Sequence, residues 1–508
     1  MFSAAGYRSG KCRGGSRIEP IPARSRLGLT AGSLPCVLKK TIPYTTKRHY
    51  FIKGLNYSIM EQFKVLIANE HYQFLMMIPA IIGAFYFAWR IIFPDRNNSC
   101  KSGSRTRVIA CITLTFLGMV CLGYMFSSHL EIQFKNPYLN RVFVWIAGIY
   151  VAFFLFFLIA LTATDIIRLI LRHKTHRNMH GRLFVRISLG IAALITVTGV
   201  IHARNIQTVH YELCAGSQLS EPLRIVEVSD LHMGSLIGVH HVQHVADAVN
   251  ACQPDLVVFL GDQFNRTEAI DVINEEAMFE ALSHIEAPLG MYAVIGNHDP
   301  ELGSEIYQQY LSESGITALD NSVLEILPGN DGRQAEVRAL VGASSDGSGA
   351  AAAPETPADG AMIVAGRTKL ATDPERVPLA ELLEEAGVVQ GAGSDGMPGA
   401  ADAGPDENAY YLLVLDHDPD GIAEAVSCDT DLVLAGHSHY GQFYPATLFS
   451  RLSYPKGYAY GLAETPNEDT GHITTSIVSS GAGYFQPPIR VGTDTEIVCI
   501  DLRPDPQK

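Results

Sequence analysis

The chain has 508 residues, with 38 basic and 52 acidic side chains and a net charge of −14 at pH 7. That length exceeds one ordinary domain, and the charge is split: residues 1–205 hold 26 basic and 6 acidic residues, which leaves 12 and 46 for residues 206–508. The acidic C-terminal part argues against nucleic-acid binding by phosphate neutralisation, and the basic, apolar N-terminal part points to a membrane.

Residues 1–60 are basic, rich in Gly, Ser and Arg and without a period, and they read as a disordered or transit-like extension. Residues 70–205 read as an all-α region of about four transmembrane helices, over 74–93, 108–126, 142–164 and 183–201. The second and third spans carry no charge, and Arg90 and Arg186 sit near the ends of the other two, where they can snorkel. Arg96, Lys101, Arg105 and Arg107 follow the first span, and Arg168, Arg172, Lys174, Arg177 and Arg182 follow the third. The positive-inside rule puts both of these loops in the cytoplasm. A multi-pass membrane protein with its C-terminal domain outside or in a lumen is the expectation. The nine cysteines form no C-x-x-C pair, so there is neither a disulfide framework nor a zinc-finger spacing.

From residue 221 short strands and helices alternate through 503, the pattern of an α/β domain. Leu223–Val228 is a strand that delivers Asp230 and His232. Asp255–Leu260 is a buried strand that ends at Gly261 and Asp262. Met291–Ile295 ends at Gly296, Asn297, His298 and Asp299. Alternating strands at Val323–Leu327, Val337–Val341 and Glu496–Ile500 point to a mixed sheet. Residues 342–408 are rich in Gly, Ala, Ser and Pro and read as a disordered insertion with one short helical piece from Pro378 to Ala386. The strand Tyr410–Leu415 then delivers His417, and Asp431–Ala435 delivers Gly436, His437, Ser438 and His439.

A single Asp-x-His triplet reads equally as a bland surface loop. Five clusters of carboxylate, amide and imidazole at five strand ends are harder to obtain by chance, because strand ends are where α/β sheets bind ligands. These donors suit hard or borderline divalent metals, and two such ions can clamp a phosphoryl group. Cysteine is absent from these loops, which argues against structural zinc.

Asp230-x-His232, Gly261-Asp262, Gly296-Asn297-His298-Asp299, His417 and Gly436-His437-x-His439 together resemble the ordered motifs of the calcineurin-like metallophosphoesterases, over roughly residues 221–503. The preceding spans, with the tail Gly483–Arg490, resemble the transmembrane proteins that carry such a domain. The resemblance implies a two-sheet αββα sandwich. It implies two divalent metal ions (Mn, Fe or Zn), one held by Asp230, His232 and His439, the other by Asn297, His417 and His437, with Asp262 bridging. It implies that His298 contacts the phosphate and protonates the leaving group, that Asp299 orients His298, and that a metal-bridging hydroxide hydrolyses phosphate mono- or diesters. Gln263, Phe264 and Asn265 depart from the family's usual residues after Gly-Asp, as Tyr440 does after the last His, which leaves the substrate open. The tether favours a lipid or cell-surface phosphate ester. The competing reading is a non-enzymatic membrane receptor or scaffold that reuses the fold.

Overall fold

The computed structural model describes residues 136–175, 181–328 (apart from 217, 220 and 266–273), 335–342, 357–368, 376–388 and 410–504 (apart from 455, 456 and 486), with a few isolated positions before 136. Isolated positions aside, the expected extension over 1–60 and the spans over 74–93 and 108–126 lie outside the described residues.

Two helices are long and apolar enough to cross a membrane, α1 (Pro137–Thr175) and α2 (Gly181–His202). They contain the expected spans at 142–164 and 183–201. Stretches dominated by Leu, Ile, Val, Phe and Ala, with no proline after Pro137 at the start of α1, account for both. With 39 residues, α1 is ~58 Å long, about twice the ~30 Å of a hydrocarbon layer. Its first turns do different work. The Asn140 side-chain amide donates to Ser235 Oγ at 3.2 Å, and Val144 enters the core of the C-terminal domain. Further along, Thr164 and Ser188 hydroxyls join α1 to α2 at 2.8 Å.

The C-terminal domain starts earlier than residue 221. α2 runs almost directly into β2 (Ile206–Cys214), which pairs in parallel along the whole of β14 (Thr495–Arg503). The expected linker is therefore a sheet strand, and it joins helix to domain without slack. In β2 apolar Val209, Tyr211 and Leu213 alternate with His210 and Glu212, but none of its residues is fully buried.

The first sheet has the order β1 (Arg8–Ser9), β2, β14, β3 (Leu223–Val228), β4 (Leu256–Leu260), β5 (Met291–Val294) and β6 (Thr317–Ala318). The second has the order β12 (Gly461–Pro466), β13 (Ile473–Val478), β11 (Leu432–Ala435), β10 (Tyr411–Leu415), β9 (Met362–Gly366), β7 (Ser322–Pro328) and β8 (Ala335–Val341). Both are mixed: β14 runs antiparallel to β3, and β7 antiparallel to β9, while the central strands are parallel.

Alternation assigns the faces. Ile225, Val258, Leu260, Val294, Val364, Leu413, Leu434 and Ile500 meet between the sheets. Val226, Val228, Val257 and Phe259 point the other way, against α3 (Val239–Ala251), α4 (Glu275–Ser283) and α5 (Glu305–Ser314). On the far side, Ile363, Leu412 and Val433 pack against α6 (Leu379–Glu385) and α7 (Ile422–Ser427). This is the expected helix–sheet–sheet–helix sandwich.

The reading of 342–408 as one disordered insertion is corrected. β9 lies within it, is fully buried, and sits between β10 and β7. Ala361–Ala365 is an apolar run of the length of a buried strand, bracketed by Gly360 and Gly366. The Gly- and Ala-rich surroundings hid it. The short helix expected from Pro378 to Ala386 is α6.

Candidate metal centre

The parallel strands of both sheets end on one side of the sandwich, and their exit loops converge. β3 delivers Asp230 and His232, β4 delivers Asp262, and β5 delivers Asn297, His298 and Asp299. From the second sheet, β10 delivers His417 and β11 delivers His437 and His439. The backbone is unusual here. Asp230, His232, Asp262, His437 and His439 all have φ between 45° and 62°, a region that costs a non-glycine residue energy and that persists only where its surroundings enforce it. The flanking glycines are required by space. A Cβ on Gly296 would collide with the backbone and carboxylate of Asp262, and one on Gly436 with Ser229 and the Asp230 carboxylate.

Two donor groups result, Asp230 with His232 and His439, and Asp262 with His417 and His437; within each group the donor atoms lie within 4.8 Å of one another. In the first, His232 Nε2 is 2.9 Å from His439 Nε2, and His439 Nε2 is 3.4 Å from Asp230 Oδ1. In the second, His417 Nε2 is 3.2 Å from His437 Nδ1 and 3.2 Å from Asn297 Oδ1. Asp262 Oδ2 faces both groups, 3.8 Å from His232 Nε2 and 3.4 Å from His417 Nε2. Its other oxygen accepts the His298 backbone N–H at 2.8 Å. The structure thus brings together all seven residues expected to hold metal.

The protein groups alone are electrostatically unsettled. Burial raises Asp230 to about 6, and its Oδ1 has no hydrogen-bond donor among the described residues. Burial also lowers His232, to about 3, and lowers His439 with help from the neighbouring His232, so both imidazoles are neutral. Neutral imidazole is the form that ligates a cation. Burial opposes charge on Asp262 and on His417 as well, but their mutual attraction wins: Asp262 is held well below the carboxylate range and His417 is raised to about 10. His417 Nδ1 lies 2.6 Å from the Leu260 carbonyl and donates to it, which leaves Nε2 facing Asp262. A divalent ion between Asp262 and His417 would displace the proton they otherwise share. Carboxylate, amide and imidazole donors that need positive charge fit a borderline divalent metal.

His298 stands at the rim. Its ring centroid is 5.3 Å from that of His232 and 4.7 Å from that of Phe485. The two oxygens of Asp299 accept the backbone N–H groups of Phe264 (2.9 Å) and Gly296 (2.8 Å), so it ties the loops bearing Asp262 and His298 to each other. Burial, and then Asp262, raise it to about 7 despite these two donors.

Three further features surround the site, two of them in the tail Gly483–Arg490. Arg490 is buried, and its guanidinium donates to the carbonyls of His439 (3.0 Å), Ser480 (2.6 Å) and Gly483 (2.6 Å), while its backbone N–H donates to Gly199 in α2 at 3.0 Å. It therefore ties the His439 loop to the apolar helices. Phe485 lies against His232 and His298, and the chain just beyond it packs so closely on α1 that a Cβ on Gly148 would lie 2.6 Å from Pro488 Cδ. Below the site, Glu227 is raised well above the carboxylate range by burial, then by Glu496. An isolated Glu within the strand Leu223–Val228 was the one sequence signal for it.

With this geometry in place, comparison with known proteins is specific. The sequence profile of the calcineurin-like phosphoesterases matches residues 223–441. Residues 223–441 form a calcineurin-like phosphoesterase domain. The wider chain is similar to a transmembrane protein with metallophosphoesterase domain from Danio rerio, 25% identical over 445 residues that cover 85% of this chain and 89% of that one. A bovine protein of the same description is 23% identical over 62% of each chain. An uncharacterized metallophosphoesterase of Campylobacter jejuni is 26% identical over 73% of this chain and 84% of its own. All seven donors lie in the phosphoesterase domain, whereas Phe485 and Arg490 come from the segment after the matched region.

Proposed function

We propose that this protein is a membrane-anchored phosphoesterase that hydrolyses phosphate mono- or diesters at a dinuclear centre of Mn, Fe or Zn. The observation that carries this reading is Asp262 Oδ2, which faces both donor groups at 3.4 and 3.8 Å. A carboxylate between two sets of imidazoles is what a pair of ions needs as a bridge. When bound, such a pair supplies Lewis acidity to phosphoryl oxygens and lowers the pKa of a water that can attack phosphorus.

The residues divide the remaining work. Asp230, His232 and His439 would hold one ion, and Asn297, His417 and His437 the other. His298 meets the ester from the rim and passes its ring proton to the leaving oxygen. Asp299 keeps the loops of Asp262 and His298 in step through the Phe264 and Gly296 N–H groups. Phe485 narrows water access on the side of His232 and His298. The apolar faces of α1 and α2, with Ile146, Ile166, Leu194 and Val197 exposed, suit lipid. The basic end of the hairpin (Arg168, Arg172, Lys174, Arg182) is distal to the phosphoesterase domain, so a cytoplasmic basic end puts that domain outside or in a lumen.

The test uses the full chain purified in detergent. About two equivalents of divalent metal should be bound, and p-nitrophenyl phosphate or its bis-ester should be hydrolysed with added Mn²⁺. A protein that holds two ions and hydrolyses neither ester overturns the enzymatic reading. For orientation, a surface domain should be cleaved by protease in intact cells, and a lumenal one should stay protected when only the plasma membrane is opened with digitonin; cleavage on digitonin treatment and not before would reverse the topology.

A further inference from the structure

One short helix is inside out. In α8 (Ala446–Ser453) the residues turned toward the protein are polar, with Thr447 and Ser450 buried. Those turned outward are apolar: Leu448 is 44% exposed, Phe449 59% and Leu452 62%, and Tyr444 just before the helix is also exposed. A surface helix bathed in water shows the reverse arrangement, as α3 does with Val242, Val245, Ala246 and Val249 buried. An outward apolar face of this kind marks a contact surface.

Its position names the contact. Phe443, three residues before α8, meets Phe156 of α1 edge-on, with ring centroids 6.2 Å apart. It joins a cluster containing Ala152, Phe157 and Leu161 of α1 and Ala192 of α2, with Ile489 from the loop beyond Phe485. Counting back ~30 Å from Arg168, at the basic end of α1, spans about twenty residues and reaches the level of Gly148. Phe156 lies only ~18 Å from Arg168 on the same count. Phe443 and Ile489 therefore sit below the edge of the hydrocarbon layer, and α8 starts beside that edge. The apolar surface of α8 continues the apolar sheath of the two long helices. On its other side, the Arg451 guanidinium lies 5.2 Å over the Tyr440 ring, and Tyr440 follows the metal donor His439.

We propose that α8 lies in the plane of the membrane with Leu448, Phe449 and Leu452 among the acyl chains, and that it thereby sets the lipid boundary at the metal centre, whose substrate is a phosphate ester carried on a lipid. The inference rests on the membrane-anchored phosphoesterase reading above and adds the substrate class. Two ends of one arrangement support it. The apolar face fixes depth, as in helices that lie in the interface. The loop carrying Phe485 and Ile489 touches the donor His232, the rim residue His298 and the buried faces of α1 and α2, so the site opens within a few residues of lipid. A lipid-borne ester would reach it without leaving the membrane.

The test uses the full chain in phosphatidylcholine nanodiscs. Phe449→Trp adds an indole whose emission, taken as the difference from the unsubstituted protein, should be quenched by lipids brominated on their acyl chains and not by aqueous iodide. Quenching by iodide puts the helix in water. Quenching by neither puts it under another protein segment. Either result overturns the proposal. The second arm compares phosphatidic acid and phosphatidylglycerol in the nanodisc with soluble p-nitrophenyl phosphate and its bis-ester. Phe449→Asp should lower hydrolysis of the lipid substrate by about tenfold or more while turnover of the soluble ester stays unchanged. Equal lipid turnover in the variant and the unsubstituted protein, with soluble turnover intact, overturns the in-plane helix but not the phosphoesterase. Absence of soluble turnover in the unsubstituted protein overturns the phosphoesterase reading itself.

Discussion

The two sheets contribute different chemistry to the same site. The first supplies every carboxylate of the donor set, Asp230 and Asp262, with the amide of Asn297 and one imidazole, His232. The second supplies imidazoles alone: His417, His437 and His439. Each donor group nevertheless draws on both sheets. Each group is completed only across the two sheets, so bound metal should hold the closed sandwich together by mass action. The asymmetry matters because charge and neutral ligation fail differently. Loss of a carboxylate leaves buried positive charge unbalanced, while loss of an imidazole removes one lone pair.

The largest effect should come from Asp262, the one carboxylate that faces both groups. Asp262→Asn is expected to lower metal affinity at both sites by more than the roughly 10–100-fold that outer-shell partners cost, and to abolish measurable turnover. Asp230→Asn should weaken one site and spare the other. Metal titration of the two variants decides the matter, and an Asp262→Asn protein that binds two ions as tightly as the unsubstituted one breaks the comparison. Next in size is His298→Ala, which should cost on the order of 10²–10⁴ in turnover as the loss of a general acid does, with bound metal unchanged. Unaltered kcat in that variant would remove His298 from the chemistry.

Arg490→Lys sharpens the comparison from the second sheet's side. Lysine offers a point charge where arginine holds three carbonyls through a planar fork. The His439 loop should loosen, weakening the ion held with Asp230 and His232 by roughly 10–100-fold and leaving the Asp262–His417–His437 group as it was. Isothermal titration that resolves two binding steps would show one step moved. Equal loss at both steps would mean that Arg490 supports the fold generally.

The first sheet's half of the site was the more legible in sequence, and the reason is physical. β3, β4 and β5 are short strands, buried throughout except at Arg224, and each is followed closely by its donors, so apolar run and chemistry sit side by side. β10 and β11 have the same form, which is why His417, His437 and His439 were readable despite the long separation. What the sequence hid was either non-local or masked by its neighbours. Arg490 acts through carbonyls on loops ten and fifty residues away, and no local pattern announces that. For Asp299 the resemblance names a role toward His298, while its bonds to the backbone of Phe264 and Gly296 span up to 35 residues and have no local signal. β2 is nowhere fully buried, and β9 is five residues long within a composition typical of loops.

β9 also gives the smallest and most discriminating prediction. Met362 lies between the sheets with Val364 and Leu413, although it belongs to the stretch whose composition reads as disordered. Met362→Ala deletes buried volume and should lower stability by about 2–5 kcal/mol, the range for such truncations in a packed core. Metal affinity and turnover, measured well below the unfolding temperature, should hardly change, because no donor stands on β9. The expected record is a clear fall in Tm with two ions still bound. A Tm within error of the unsubstituted protein would mean that 362–366 is peripheral to the second sheet. A fall in Tm accompanied by loss of the His417 site would mean that β9 positions β10 as well as packing beside it, so the insertion would then count as part of the metal centre's own framework.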